Sequence, residues 1–207
     1  MKNQPLNLIL TLLLISFGCS KNQNHPKSYR CNNIVSLLGV NDSIPIISFD
    51  YSNDPIRLIE ENPDIFNAST CGDFIELGLK LPDASVVMVT YRYICDTNVI
   101  MCGPPWIEIN LTNKDVLRLG NKEIRLDTLQ SIIHEEKAVF RWDEIHFGWS
   151  SGASAKRIQQ VFNEIITAQV AYASKSSRLI NGKDICSLDS VEIEKLRDYG
   201  NMEIYLE

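Results

Sequence analysis

The sequence WIEINL at residues 106–111 alternates apolar and polar side chains, which predicts a half-buried β-strand. EIHFG at residues 144–148 predicts a second strand. Between and after these strands, apolar residues recur at helical spacing and predict helices over residues 126–137 and 153–174. Because strands and helices succeed one another along the chain, we predict an α+β fold with helices packed on a mixed β-sheet.

The region before residue 106 adds further elements to this prediction. Residues 44–49 are mostly apolar, and residues 85–94 (SVVMVTYRYI) are rich in β-branched and aromatic side chains, so both segments predict strands. Residues 69–80 predict a helix, because Phe74 and Leu77 would share one face with Leu81.

The region after residue 174 predicts a hairpin, a capped helix and a final strand. Asn181-Gly182 is typical of a tight hairpin turn, here between residues 178–180 and 183–186. Asp189 followed by Glu192 is a capping-box pattern, and residues 203–206 predict a strand.

The same order of a hairpin edge and a capped helix occurs twice in the chain. Lys122-Glu123-Ile124 precedes one predicted helix, and Lys183-Asp184-Ile185 precedes the last one. One interpretation of this repeated order is that a ββα unit has been duplicated. The other is that unrelated hairpin-to-helix connections often share such residues.

Residues 106–169 resemble the periplasmic domain of the ExbD/TolR biopolymer-transport family in the order of their elements. Two strands, a helix that opens with Leu126-Asp127-Thr128-Leu129, a third strand and a longer helix follow one another as in that family. The resemblance implies a related fold and a role in interactions within the cell envelope. The family's transmembrane helix with its proton-carrying aspartate has no counterpart in the sequence, so proton-driven energy transduction is not implied.

The amino terminus has the pattern of a bacterial export signal. Lys2 precedes an apolar stretch over residues 6–17, which is too short to span a membrane because spanning takes about 20 residues. Residues 15–19 (ISFGC) resemble the lipobox of bacterial lipoproteins, which implies removal of residues 1–18 and a diacylglyceryl group on Cys19. Ordinary secretion, with Cys19 as a free thiol, is the alternative.

The predicted anchor also sets the expected location. Acyl chains on Cys19 would hold the protein on a membrane, and the polar residues 19–27 predict a flexible tether. By resemblance to Gram-negative lipoproteins, Ser20 after the lipid-bearing cysteine implies the outer membrane. We therefore expect a lipid-anchored protein of the cell envelope.

The composition of the chain limits the number of domains and the kinds of partner that we expect. The 207 residues, 44% hydrophobic and 22% charged, suit one globular domain or two small ones. Gly103-Pro104-Pro105 separates an N-terminal α/β part, residues 28–105, from a C-terminal α+β part, residues 106–207. The net charge of −6 argues against a nucleic-acid surface, because phosphate contacts need clustered Lys and Arg.

Five cysteines follow the predicted anchor, and disulfides persist in an oxidising compartment. Cys95 and Cys102 enclose a short segment and are predicted to pair, which makes Cys31 with Cys71 the simplest second pair. Cys186 is predicted to be a small buried side chain within a strand. The sequence contains no CxxC pair, so we expect no metal site.

One motif suggests catalysis. Residues 148–152 (GWSSG) match the G-x-S-x-G pattern of serine hydrolases and lie between a predicted strand and a predicted helix. In that fold the catalytic histidine follows the serine, and no histidine follows His146 in this chain. A turn and a helix cap explain the residues without catalysis, so we predict no catalytic residues and no cofactor.

The leading hypothesis is a non-enzymatic, membrane-anchored lipoprotein whose domain binds envelope proteins or the cell wall. One alternative is an anchored serine hydrolase that uses Ser150 with a histidine from upstream. Another is a small-ligand or glycan binder, in which Trp142, Trp149 or Tyr172 would stack on a sugar ring.

Overall fold

A computed structural model of the chain describes residues 31–38, 44–66, 74–83, 85–92, 106–140, 144–200 and 203–206. Eight strands form one mixed sheet in the spatial order β1-β2-β3-β8-β7-β4-β5-β6. The strands are β1 (Ile46–Ser48), β2 (Phe74–Lys80), β3 (Val86–Arg92), β4 (Ile107–Leu111), β5 (Leu117–Leu119), β6 (Lys122–Ile124), β7 (Glu144–Trp149) and β8 (Glu203–Leu206).

The helices differ widely in length. The longest, α5, has 27 residues and begins at the N-cap Ser154, whose hydroxyl accepts a hydrogen bond from the Arg157 amide. Short 3-10 turns precede α4 and α6. The helices are α1 (Asn32–Leu37), α2 (Arg57–Glu61), α3 (Pro63–Phe66), α4 (Leu129–Phe140), α5 (Ala155–Asn181) and α6 (Ser190–Gly200).

The middle of the sheet is parallel. Strands β3, β8, β7 and β4 run in the same direction, whereas β2 is antiparallel to β3 and β5 is antiparallel to both β4 and β6. Because β3 pairs with β8, the segments before and after residue 106 contribute to one continuous sheet. The predicted α+β fold, with helices on a mixed sheet, is confirmed.

The main core lies between the sheet and the layer formed by α4, α5 and α6. The connections from β4 to β7 and from β7 to β8 advance in the same direction across the sheet, and right-handed crossovers then place their helices on one face. Phe147 of β7 meets Phe162 of α5 edge-on, with ring centroids 5.0 Å apart, and both side chains are fully buried. Leu129 and Ile133 bring α4 into the same core.

Residues 74–80 form strand β2, so the predicted helix over residues 69–80 is wrong. Leu77 and Leu79 are buried between the exposed Glu76 and Lys80, which is the two-residue period of a strand. A Cβ on Gly78 would lie 3.0 Å from Cγ1 of Ile46, so β1 and β2 pack closely at this position. Strand β2 pairs with β3 at seven positions, and this pairing cannot be inferred from the apolar pattern of residues 69–80 alone.

The predicted hairpin at Asn181-Gly182 is also wrong. Helix α5 continues to Asn181, and Gly182 ends it in the left-handed conformation, φ 65°, with its N–H donating to the Arg178 carbonyl. An Asn-Gly sequence suits this helix end as well as it suits a hairpin, because both need positive φ. Residues 185–187 form a 3-10 turn rather than a strand, so their sequence similarity to residues 122–124 does not reflect a second ββα unit.

The predicted last helix and final strand are confirmed. The Glu192 amide donates to the Asp189 carboxylate at 2.9 Å, and the Asp189 amide donates to the Glu192 carboxylate at 3.1 Å, which is a complete capping box. Residues 203–206 then form β8 in the middle of the sheet.

Candidate functional site

The sheet face opposite α4 and α5 carries exposed and aromatic side chains, and we call it the open face. Strand register places Glu108 beside His146, and His146 beside Tyr205. On the other half of the sheet, Glu76 lies opposite Thr90, which in turn lies beside Tyr205. Side chains alternate between the two faces along each strand, so these residues share one surface.

Four rings form a row across the open face, which we call the aromatic row: Trp106, His146, Tyr205 and Phe74. The His146 ring stacks between Trp106 and Tyr205, with centroid distances of 5.0 Å on both sides. This spacing follows from the separation of neighbouring strands, about 4.8 Å. Phe74 meets Tyr205 edge-on at 5.9 Å.

The two middle rings of the aromatic row are buried, Trp106 at one end is partly exposed, and Phe74 at the other end is the most exposed. His146 is 6% exposed and Tyr205 is 7% exposed, whereas Phe74 is 57% exposed. The small, buried Thr90 on β3 separates the strands of Phe74 and Tyr205, which allows the two rings to meet. The middle of the row is therefore packed, and Phe74 leaves apolar surface exposed at one end.

Hydrogen bonds to carboxylates fix the polar atoms of the row. The Glu144 carboxylate is 3.1 Å from Nε2 of His146, and the Tyr205 hydroxyl donates to the Glu203 carboxylate at 2.6 Å. The Asn110 amide donates to Glu108 at 2.7 Å on the neighbouring strand. Each bond joins residues two positions apart on one strand, so it lies along the open face, and the first two bonds orient the His146 and Tyr205 rings.

The described side chains make the open face acidic. By strand register three basic residues also share this face, Lys80, Arg92 and Arg118, and Arg118 is paired with Glu123 at 3.2 Å. Carboxylates near aromatic rings attract cations, as does the negative face of each ring. Five glutamates belong to this face by strand register: Glu76, Glu108, Glu123, Glu144 and Glu203.

The serine of the G-x-S-x-G match lies in a turn that joins β7 to α5. The Ser150 amide donates to the Leu111 carbonyl at 2.9 Å, and the Gly152 amide donates to the Ser52 carbonyl at 2.9 Å. The helix cap is Ser154, not Ser150, Ser151 or Gly152. The Ser52 amide also donates to Asp50, and this bond holds the pKa of the Asp50 carboxyl below its ordinary value.

The two described histidines have partners away from this turn. His146 lies on the open face beside Glu144. Nε2 of His134 is 3.5 Å from Nζ of Lys175, which lies twenty residues along α5 from its first residue. At 1.5 Å per residue that is about 30 Å from the helix start beside Ser150.

Trp149 belongs to the core rather than to a binding surface. It is 4% exposed, and its indole N–H donates to the Asn53 carbonyl at 2.7 Å. Rings of Phe49, Tyr51 and Phe162 surround it at 5.9–6.1 Å. Tyr172 is partly buried against the core, and Trp142 lies outside the described residues.

Cys31 forms a disulfide with Cys186, with the two Cα atoms 5.7 Å apart. The predicted pairing of Cys31 with Cys71 is therefore wrong, as is the prediction that Cys186 is buried in a strand. Cys186 is exposed in a 3-10 turn that packs beside α1, and Asn33 of α1 donates to the Ile185 and Leu188 carbonyls. The fold, not sequence distance, brings the two thiols together.

The other cysteines lie outside the described residues. Pairing of Cys95 with Cys102 stays a prediction, and so does lipidation of Cys19. Since Cys31 is used by Cys186, Cys71 has no predicted partner once Cys95 and Cys102 are joined.

Charged side chains support the turn that holds Cys186. Nζ of Lys183 donates to the Glu192 carboxylate at 2.6 Å, and this bond raises the pKa of Lys183 and lowers the pKa of Glu192. Hydrogen bonds from the Cys186 amide and Arg178 lower the pKa of Asp184.

No protein-family model and no curated protein matches this chain. Within the described ranges, every helix is too short or too polar to cross a bilayer. Among the described side chains, no cluster of His, Cys, Asp and Glu has the arrangement of a metal site.

Sequence reasoning missed the aromatic row, although the sequence carries a signal for it. Residues 144–147 read Glu-Ile-His-Phe and residues 203–206 read Glu-Ile-Tyr-Leu, so each strand has a glutamate two residues before a ring. The two segments pair in parallel with matching positions side by side. Neither sequence alone indicates that β7 and β8 are neighbours.

Proposed function

We propose that the chain is a membrane-anchored lipoprotein of the cell envelope whose α+β domain binds a partner without catalysis. The observation that carries the proposal is the open face, where an aromatic row that ends in the exposed Phe74 lies among glutamates. The resemblance of residues 106–169 to the ExbD/TolR periplasmic domain supports the same role. The partner surface on this domain is the open face of the sheet.

The lipid anchor would keep this surface close to the membrane. The first described residue of the domain, Cys31, follows Cys19 by twelve positions, a segment that spans at most about 40 Å when fully extended. That length and the width of the domain together limit how far a partner can lie from the bilayer, so the partner is an envelope protein or the cell wall near the membrane.

The chemistry of the open face defines the partner's side of the contact. Phe74 offers apolar surface, and the neighbouring glutamates favour Lys or Arg side chains. Cations also bind favourably over aromatic rings. The complementary surface therefore combines apolar and basic side chains.

Lipidation is tested by metabolic labelling with a fatty-acid analogue. The wild-type protein is expected to incorporate the label, and Cys19→Ala is expected to lose it. Cys186→Ser serves as the control, because it removes another cysteine while leaving the anchor intact. Equal labelling of wild type and Cys19→Ala would remove the anchor from the proposal.

Partner binding is tested by crosslinking the protein in its own membranes and identifying the captured proteins. Phe74→Ala is expected to reduce capture of a specific partner several-fold, because it removes the most exposed ring of the row. Leu179→Ala is the matched control, since Leu179 is 77% exposed but lies on α5. If both variants capture as well as wild type, the open face is not the partner surface.

Salt dependence separates an acidic surface from a purely apolar one. Screening shortens the range of charge interactions from about 10 Å at 0.1 M salt to about 3 Å at 1 M. Capture through the open face is expected to weaken over that range. Glu108→Gln, which retains an acceptor for Asn110, is expected to reduce this salt dependence.

A further inference from the structure

A groove of about 610 Å³ lies between the β5–β6 hairpin and the first three turns of α5. It lies at the β6 edge of the sheet, where Glu123 of the open face and residues of α5 both line it. Such a volume is within the ordinary range for small-ligand sites, about 300–1,000 Å³. Apolar side chains contributed by the hairpin and the turn after it line the groove: Val116, Leu117, Ile124 and Leu126.

Arg157 in the first turn of α5 supplies a cation to this groove. Its Nη1 donates to the Gln160 side chain at 3.2 Å, whereas its buried Nε meets no acceptor in the part of the chain that the structure describes. A buried donor without an acceptor is costly, and a guanidinium can bind a carboxylate through two parallel hydrogen bonds. Because Nε is enclosed, an anionic group in the groove would bind the guanidinium through Nη2, which has no acceptor among the described residues.

The carboxylates that line the groove already have other partners. Asp115 accepts hydrogen bonds from the Ser154 amide at 2.8 Å and from its hydroxyl at 2.7 Å. Asp127 pairs with Arg125, and Glu164 accepts from Gln130. None of them forms an ion pair with Arg157 among the described residues.

The balance of charge selects the kind of ligand. Two of the lining carboxylates have an opposite charge as partner: Glu123 pairs with Arg118, and Asp127 pairs with Arg125. The charged lining residues without such a partner among the described residues are Arg157, Asp115 and Glu164. Two carboxylates beside one guanidinium disfavour a phosphate dianion. A ligand with one carboxylate and one ammonium group matches both signs.

The spacing along α5 sets the size of that ligand. Arg157 and Glu164 are seven residues apart, which is two helical turns and about 10 Å along one helix face. An extended peptide spans about 3.3–3.6 Å per residue, so two or three residues bridge the two side chains.

We propose that this groove binds a short peptide with free termini. Its C-terminal carboxylate pairs with Arg157, its amino group lies toward Glu164, and an apolar side chain covers Val116 and Ile124. This site goes beyond the proposed partner surface, since the two charged residues that would bind the peptide termini, Arg157 and Glu164, lie on α5.

The test uses the purified full chain in detergent and three forms of the peptide Ala-Ala-Leu. The forms are the free peptide, its C-terminal amide and its N-acetyl derivative, each titrated by calorimetry. Wild type is expected to bind the free peptide at least tenfold more tightly than the amide, because the amide cannot form the charge-assisted pair with Arg157. The acetylated peptide is expected to bind several-fold more weakly than the free one.

Two variants test whether the preferences for a free carboxylate and a free amine arise in the groove. Arg157→Gln is expected to bind the free peptide and the amide equally, and Glu164→Gln is expected to lose the preference for a free amine while keeping an acceptor for Gln130. Arg178→Gln is the matched control, because Arg178 is an exposed arginine at the far end of α5. Circular dichroism spectra and melting curves show whether each variant is folded.

Two results would overturn the proposal. One is that wild type binds the free peptide no better than its amide, or binds none of the three forms at up to roughly 1 mM. The other is that folded Arg157→Gln keeps the wild-type preference. The capture experiment tests only the open face, and the peptide titrations test only the groove. A negative result in one therefore does not contradict the other proposal.

Discussion

The two faces of the sheet come from the same strands but bury very different side chains. On the helix side, Phe147 and Phe162 are fully buried and surrounded by aliphatic residues. On the open face, Phe74 is 57% exposed and glutamates flank the rings. The helix side therefore accounts for most of the hydrophobic stabilisation, and the open face retains apolar surface that folding does not use.

The largest expected effect is on the helix side, at Phe162. Phe162→Ala should lower the free energy of unfolding by about 3–5 kcal/mol, since it removes a buried ring and leaves a cavity beside Phe147. Urea denaturation of the purified protein measures this change. Leu179→Ala, on the same helix but 77% exposed, should change stability by less than about 0.5 kcal/mol. Similar losses for both variants would contradict the assignment of the core.

The disulfide on the helix side gives the second largest effect. Cys186→Ser should lower the free energy of unfolding by about 2–4 kcal/mol, because the bond closes a loop with a sequence separation of 155 residues. The measurement is urea denaturation under non-reducing conditions, with Ser187→Ala as a neighbouring exposed control. A Cys186→Ser protein as stable as wild type would show that the bond adds nothing.

The buried Tyr51 is predicted to make the free energy of unfolding depend on pH. Its hydroxyl donates to the Lys80 carbonyl at 2.9 Å, and burial raises its pKa above the ordinary value of 10.0. A raised pKa means that the neutral tyrosine stabilises the fold fully below about pH 10 and that this stabilisation is lost as the pH rises further.

Tyr51→Phe should therefore cost about 1–1.5 kcal/mol at neutral pH through the lost hydrogen bond. Between about pH 9 and 11 its stability should fall less steeply than that of wild type. Urea denaturation over a pH series measures both slopes. Identical slopes for the two proteins would mean that Tyr51 does not titrate differently on folding.

The smallest effect on stability is expected on the open face, at Phe74. Phe74→Ala should cost only about 0.5 kcal/mol, because its ring is largely exposed and contributes an edge-on contact with Tyr205. The same variant should strongly reduce partner capture. If it instead destabilised the protein as much as Phe162→Ala, the two faces would not differ in the way described.

Two elements of the C-terminal half are predictable because local and tertiary preferences agree there. Ile107, Ile109 and Leu111 alternate in sequence and are all buried in β4. Asp189 and Glu192 form the expected capping box from residues three positions apart. In both cases, the interacting or periodic residues are close together in the sequence.

The N-terminal half contains the clearest failure of local reasoning. Phe74, Leu77 and Leu81 fit one helix face, but Leu77 and Leu79 also fit a strand with a two-residue period. Pairing with β3 on one side and β1 on the other favours the strand. Gly78, a poor helix residue, is the local signal that supports this outcome.

Some sequences remain ambiguous because two structures require the same backbone conformation. Gly182 adopts positive φ at the end of α5, which a hairpin turn would also have required. The helix continues beyond the predicted end at residue 174, and Ser177 in this last part is buried. Packing of this last part of α5 therefore determines which structure forms.

The sequence by itself determined the fold class, most strands and the helices with strong caps, since these depend on the spacing of apolar residues and on local hydrogen bonds. It also provides the predicted lipid anchor at Cys19. Only the tertiary structure decided the Cys31–Cys186 bond, the order of the strands, the aromatic row and the groove beside Arg157. These features join residues far apart in the chain, and their contacts arise from how the sheet is assembled.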